Sequence, residues 1–307
     1  PAMRRRIPAT HCLLCFEAAA RHESYTRAAQ ELALTQSAVS RQIAALERMV
    51  GQVLFQRTRH GVALTARGAA YAQQVRQRLQ ALEQDTLEAM SGTGEDQAIR
   101  LAAVPTFATR WLVPRLPALA ATHPGIVVHV ETRTRPFLFA DTAVDAALYA
   151  GTPEQVANWA GTRSVRLLHE ALVPVCAPAL LPRGRPLSPA ELARMPLLQQ
   201  STRPMAWRQW FDHAGEPAPR ALAGPRYEVF SMSAAAAISG MGVALMPRLL
   251  VTEELASGAL VEACCTPAYG DRAYYLVLPE RQEGSAALRQ FCDWLQAVAR
   301  TAESGTA

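Results

Sequence analysis

The chain of 307 residues is half hydrophobic and carries a formal net charge of +5, enough material for two or three domains with sizeable cores. It contains no run of about 20 apolar residues, which argues against a membrane-spanning helix. Every basic residue is arginine, which excludes a Walker A lysine or a Schiff-base lysine. The charge is uneven: residues 1–67 hold ten arginines and four glutamates, net +6, and the rest is net −1. A basic footprint for a polyanion therefore sits in the N-terminal fifth.

PAMRRRIP at the start is basic but has no apolar segment long enough for a signal peptide, so a cytoplasmic location is expected. A first helix is predicted over about Ala9–Arg21, with Leu13, Phe16 and Ala20 as its packing stripe. Two short helices joined by a tight turn should follow. One runs from about Thr26, a good N-cap residue, to Leu32, with Ala28, Ala29 and Leu32 on one small apolar face. The other runs from about Gln36 to Arg48 with Thr35 as its cap, and Val39, Ile43 and Leu46 face the first. Its opposite face carries Gln36, Ser37, Ser40 and Arg41, hydrogen-bonding side chains near a helix N-terminus. A helix entering a DNA major groove needs that arrangement. An ordinary solvated helix pair would look similar, so the next elements decide.

Gly51 is a C-cap candidate for the second of these helices. Val53–Phe55 and Val62–Thr65 read as short strands around the basic turn QRTRHG, whose Arg57 and Arg59 suit phosphates or a minor groove. Three helices and a basic hairpin make a winged helix-turn-helix, residues 1–65. Residues 66–90 then form one long helix. Ala72, Val75, Leu79, Leu82, Thr86 and Ala89 give it a modest seam for pairing with a second copy or for packing on its own domain. Small and polar residues 91–97 read as a hinge.

Residues 98–300 alternate strand and helix. Strands are expected at Ile99–Val104, Ile126–Glu131, Ala143–Tyr149, Ala171–Cys176 and Tyr274–Leu278. Helices are expected at Thr109–Thr122, Pro189–Arg194, Met205–Ala214, Ser233–Ser239, Pro247–Ser257 and Ser285–Ala299. The alternation predicts an α/β fold of parallel sheets covered by helices, in two lobes with a ligand cleft between them. Lobe I takes about 98–167 and 268–300, and lobe II about 168–267.

No GxSxG, HExxH, GxGxxG or Walker A pattern occurs, and the seven histidines form no i, i+4 ligand pair, so no enzyme is expected. Cys12 and Cys15 form a CxxC without a second ligand pair, which reads as buried reduced thiols rather than a zinc or redox site. No cofactor or metal is expected.

FEAAARHESYTRAAQELALTQSAVSRQIAALE, followed by LFQR and LTARG, resembles the LysR-type transcriptional regulators over about 60 residues. TFATRWLVPRLP, STRPMAW and GMGVALMPRLL resemble the subgroup that contains regulators of glycine cleavage and of β-lactamase induction. The resemblance implies a winged helix-turn-helix, a dimerising linker helix and a periplasmic-binding-protein-like effector domain. It also implies a homodimer paired into a homotetramer on double-stranded operator DNA, RNA polymerase as a further partner, and a small-molecule effector. It carries the DNA-reading helix onto Gln36, Ser37, Ser40 and Arg41, the wing onto Arg57, and DNA-backbone contacts onto Thr26, Thr35 and Thr65. It carries the effector cleft onto Thr106, Phe107, Phe230, Ser231, Ser233 and Tyr274, with Ser201, Thr202 and Arg203 at the end of a neighbouring strand.

Two positions depart from the subgroup. Leu14 replaces a frequent polar residue, and Tyr149 in ALYAG stands where arginine is frequent. An anionic effector is therefore not implied, and a ligand carboxylate would fall to Arg133 or Arg203. The alternative to effector control is an architectural DNA binder whose C-terminal part only oligomerises.

Overall fold

The computed structural model describes residues 7–59, 61–91, 97–266, 270–280 and 284–304. They divide into two units, 1–93 and 94–307. The predicted hinge falls almost wholly on residues 92–96, outside those described.

The first unit holds α1 (Thr10–His22), α2 (Tyr25–Glu31), α3 (Gln36–Val50), the hairpin of β1 (Phe55–Thr58) and β2 (Gly61–Leu64), and α4 (Ala66–Ser91). Its core gathers Phe16, Ala28, Val39, Ile43, Leu46 and Leu54. The cap of α2 is Ser24, not Thr26: the Ser24 side chain accepts the Arg27 amide, while Thr26 lies within the helix and is exposed. Gly51 closes α3 in the left-handed region, at φ 71°. The strands begin and end differently from the sequence reading. Glu47 Oε1 accepts the amides of Leu54 (2.7 Å) and Phe55 (3.2 Å), so the chain is tied to α3 there and pairing begins at Phe55. Arg57 is thus a strand residue opposite Val62, and Arg59 follows β1 toward the hairpin tip. On α4, Ala72 and Val75 are buried in the unit's own core and Leu79 packs beside them, whereas Leu82, Thr86 and Ala89 are exposed. The single predicted seam therefore has two environments.

The second unit contains two five-stranded sheets. In chain order it runs through β3 (Ala98–Ala103), α5 (Pro105–Phe107), α6 (Leu116–Thr122), β4 (Val127–Thr132), β5 (Ala146–Gly151), α7 (Pro153–Ala157) and β6 (Thr162–His169). Next come β7 (Leu172–Cys176), α8 (Pro189–Leu192), β8 (Leu197–Gln200), α9 (Ala206–Ala214), β9 (Arg226–Tyr227), α10 (Phe230–Ile238), β10 (Val243–Pro247), α11 (Thr252–Ser257) and β11 (Val261–Glu262). β12 (Ala273–Pro279) and α12 (Ala286–Ser304) return to the first sheet.

The strand orders are β4-β3-β5-β12-β6 and β11-β7-β10-β8-β9. The sheets are mixed rather than parallel: β12 runs antiparallel to β5 and β6, and β7 antiparallel to β10 and β11. The reason is that β6–β7 and β11–β12 carry the chain from one sheet to the other, so the crossing strands enter against the grain. The helix expected at Thr109–Thr122 begins earlier, at Pro105, and is not uniform. A π turn (Ala108–Leu112) and a 3₁₀ turn (Val113–Arg115) join α5 to α6. Pro114 and Pro117 have no amide to donate, which breaks the regular i→i−4 ladder. The helix expected at Pro247–Ser257 is instead the end of β10, a 3₁₀ turn (Arg248–Leu250) and α11.

Candidate functional sites

In the first unit, the polar face of α3 projects from a buried ridge. Val39, Ile43 and Leu46 are each at most 1 % exposed, while Gln36, Ser37 and Arg41 on the opposite face are exposed and Ser40 is half-buried. Thr35 caps this helix, its Oγ1 accepting the Ala38 amide at 3.2 Å and lying 3.1 Å from Ser37 Oγ. Thr65 has a similar role for α4: Oγ1 donates to the Val53 carbonyl (2.9 Å) and accepts the Gly68 amide (3.0 Å). Both threonine hydroxyls thus fix helix starts. Arg41, Arg57 and Arg59 have no acidic partner among the described residues and are exposed, so their charge is available to a polyanion. The arginine at position 21 contrasts with them: it binds Glu17 and Glu31, and with His22 holds the Glu31 carboxyl down at about 2. Glu47, which clamps the hairpin to α3, belongs to no sequence pattern that points to that role.

In the second unit, a cavity of about 530 Å³, its open mouth included, lies between the two sheets. From the first sheet, the end of β3 and α5 bring Thr106 and Phe107, β5 brings Tyr149 and Ala150, and β12 brings Tyr274, with Arg272 just before it. From the second, β8 brings Gln200, followed by Thr202 and Arg203, and α10 brings Phe230. Ser201, Ser231 and Ser233 do not line it. Ser201 is exposed, its amide donating to the Tyr227 carbonyl (2.8 Å). Ser231 turns its side chain to solvent but donates its amide to Thr106 Oγ1 at 3.1 Å. Ser233 is buried behind the wall, where its hydroxyl bonds to Gln200 Oε1 at 3.1 Å.

Phe107 is fully buried and serves as a wall, its ring stacked 4.1 Å from Tyr274 and 4.9 Å from Trp111. A bulge in the β12–β6 pairing falls between Tyr274 and Tyr275 and re-aims the strand at this point. Burial, followed by the Glu170 charge, pushes the Tyr274 hydroxyl well above its ordinary pKa.

Arg203 makes a two-pronged ion pair with Glu170, Nη2 to Oε2 at 2.9 Å and Nη1 to Oε1, and its guanidinium lies 4.8 Å from the Phe230 ring centroid. The Glu170 side chain is 0 % exposed and the Arg203 side chain 9 %. Burial works against the Arg203 charge, but Glu170 prevails and raises its pKa. Arg133, the other cation expected to meet a carboxylate, binds Glu131 at 2.7 Å and lies outside the cavity lining. Both arginines nominated from the sequence are therefore already paired. Arg272 is different. Its Nη1 donates to two neutral acceptors, the Ala150 carbonyl (3.4 Å) and Gln155 Oε1 (3.2 Å), and its nearest acid, Asp271, is 4.0 Å from Nε. Burial, then the Arg203 charge, lowers its pKa. Among the described residues, no cluster of three or more His, Cys, Asp or Glu is placed to hold a metal.

Comparison with known proteins gives matches along nearly the whole chain. Residues 11–69 match the family described as bacterial regulatory helix-turn-helix protein, lysR family, and residues 92–300 match the LysR substrate binding domain. The glycine cleavage system transcriptional activator of Escherichia coli (strain K12) is 35% identical over 300 residues, covering 97% of this chain and 96% of its own. The HTH-type transcriptional activator AmpR of Rhodobacter capsulatus is 33% identical over 285 residues, covering 93% and 95%. Among solved structures, the effector domain of AmpR of Pseudomonas aeruginosa superposes with a TM-score of 0.61 at 28% identity, covering 68% of this chain and 98% of its own.

Proposed function

The chain belongs to the LysR family of bacterial transcriptional regulators, with a DNA-binding helix-turn-helix and an effector-binding domain, and from that premise we propose how its own residues divide the work. The exposed face of α3 carries the reading. Gln36, Ser37, Ser40 and Arg41 address base edges, Arg57 and Arg59 address phosphates, and Thr26, Thr35 and Thr65 lie where the backbone passes. The observation that supports this is the clean split of α3 into a buried apolar ridge and an exposed polar face with an unpaired arginine. Base contacts specify and phosphate contacts position.

Self-association is assigned to the far part of α4. Exposed Leu82 and Leu87 and the partly exposed Leu14 line one groove between α1 and α4, and a second copy would cover it. Two such dimers on one operator would make the homotetramer. RNA polymerase is the proposed further partner, the cytoplasm the proposed location, and no catalysis is assigned.

The cavity of the second unit is the proposed effector site, with Thr106, Thr202, Arg203, Phe230 and Tyr274 in its walls and Ser231 and Ser233 bracing them. An effector acts only through unequal affinity for two arrangements of the protein. Because the walls come from both sheets, occupancy bears directly on their spacing. A footprint on DNA upstream of its own gene, at two salt concentrations, tests the whole reading. Two protected sites a few helical turns apart that fade steeply with salt support it. Unpositioned protection would support an architectural binder instead.

A further inference from the structure

The charged groups around the cavity are unequally engaged. Arg203 and Glu170 close on each other, both guanidinium prongs on both carboxylate oxygens, and so offer a ligand no free charge. Gln200 is also engaged, donating to the Glu228 carbonyl and Thr202 Oγ1 and accepting from Ser233. Arg272, with a side chain 21% exposed, spends one nitrogen on neutral acceptors, and its carboxylate contact among the described residues is the long one to Asp271, 4.0 Å from Nε. Thr106 accepts the Ser231 amide, which leaves its own hydroxyl proton free to donate into the cavity. Glu228 lies exposed among the lining residues, the second carboxylate of this region after Glu170.

We infer that Arg272 is the specificity-determining residue of this cavity and that it selects a small organic carboxylate. Tyr149 leaves β5 without the cation that a carboxylate requires; Arg272 reaches the same strand from the start of β12, bonding to the carbonyl of Ala150, the next residue. A carboxylate on Arg272 would satisfy a guanidinium that its surroundings only partly satisfy, in a charge-assisted bond stronger than a neutral one. Phe230, with the stacked pair of Phe107 and Tyr274 in the opposite wall, would take the rest of the molecule. This inference rests on the cavity being the effector site.

The test uses the full chain. Acetate, succinate, benzoate and phenylacetate are compared with their amides and with inorganic phosphate, by thermal shift and calorimetric titration. At least one carboxylate should raise Tm where its amide does not. Arg272→Gln should bind that carboxylate about tenfold more weakly or worse. Arg272→Lys, which keeps the charge but not the planar donor edge, should retain part of the binding and shows that loss in the glutamine variant is not misfolding. Amides as effective as acids, phosphate alone, no response to any probe, or unchanged binding in Arg272→Gln overturns the inference. Footprints with whole metabolite extract separate this from the parent reading. An extract that alters the wild-type and Arg272→Gln footprints equally leaves effector control standing and removes the carboxylate. An extract that alters neither removes effector control as well.

Discussion

Thr106 Oγ1 accepts the backbone amide of Ser231 at 3.1 Å, joining residues 125 positions apart and the two sheets of the second unit. Ser231 lies in the first turn of α10, where amides have no partner within the helix. The threonine hydroxyl thus serves as a cap supplied from the opposite side of the cavity. Thr106→Val keeps the shape and removes the acceptor. It should cost about 1–3 kcal/mol in urea denaturation, the usual penalty for an orphaned donor. The effector-dependent change in the footprint should be lost while operator affinity stays. Thr106→Ser should restore both, and a variant that no longer binds DNA would assign the residue to folding alone.

The Glu170–Arg203 pair gives a second prediction. Glu170→Gln strands a guanidinium that is nine-tenths buried, and should destabilise the protein by about 3–5 kcal/mol. Replacing both, Glu170→Gln with Arg203→Met, should recover part of that loss, because no bare charge remains. Equal losses in the single and double variants would mean the pair is not the source of the energy.

On α3, stability and recognition should separate. Arg41 is exposed and has no acidic partner among the described residues, so Arg41→Ala should leave Tm unchanged, weaken operator binding by about 1–3 kcal/mol and relax base preference. Thr35→Ala removes the cap on Ala38 and should cost about 1 kcal/mol without DNA present. Normal operator binding by the arginine variant would move the reading surface elsewhere.

Gly68 packs beneath the Leu54 carbonyl, and a Cβ there would overlap that oxygen. Gly68→Ala should destabilise the first unit by about 1–3 kcal/mol through overpacking. Gly51, by contrast, opens onto space but holds φ 71°, so its alanine variant should lose about 1–2 kcal/mol from backbone strain alone. Thermal melts of the two variants check both numbers.

At alkaline pH no lysine titrates in this chain, so thiols and phenols carry the change, and burial raises Tyr25, Tyr71 and Tyr274 in the same direction as the thiols. Burial pushes the Cys176 and Cys292 thiols up to about 11, and burial followed by Cys12 raises Cys15. The unfolded chain therefore releases these protons first. Their contribution to stability is complete below the ordinary thiol value, near 9, and declines as pH rises from there through about 11. Denaturation curves taken in half-unit steps should show that decline, and a flat profile would mean the thiols ionise in the folded state. Cys265 is the exposed cysteine and should react with a thiol reagent before unfolding, ahead of the five buried ones.

The first unit was the more legible one because its signals are local. The cap at Thr35, the stop at Gly51 and the ridge of Val39, Ile43 and Leu46 each depend on neighbours within a turn or two. Where a distant group intervened, reading failed: the Glu47 carboxylate delays the first strand, and no spacing announces that. In the second unit, β6 is hidden because TRSVRLLH does not alternate cleanly, and β10 because it is buried on both faces and shows no period. The cavity depends on pairings across long separations. Thr106 with Ser231, Arg203 with Glu170 and Arg272 with Ala150 leave no local trace, so the sequence points to Arg133 and Arg203 but not to Arg272.

The Glu170 amide donates to the Arg272 carbonyl at 3.0 Å, where the two connections between the sheets run side by side. Arg272 is thus held by its backbone at the crossing and by its side chain on β5, in the part of the unit where the chain itself joins the two sheets. Across the cavity mouth, the Thr106–Ser231 bond is a side-chain link that can open without breaking any strand pairing. If occupancy of the cavity alters the spacing of the sheets, the Thr106–Ser231 distance should change before the Glu170–Arg272 distance does.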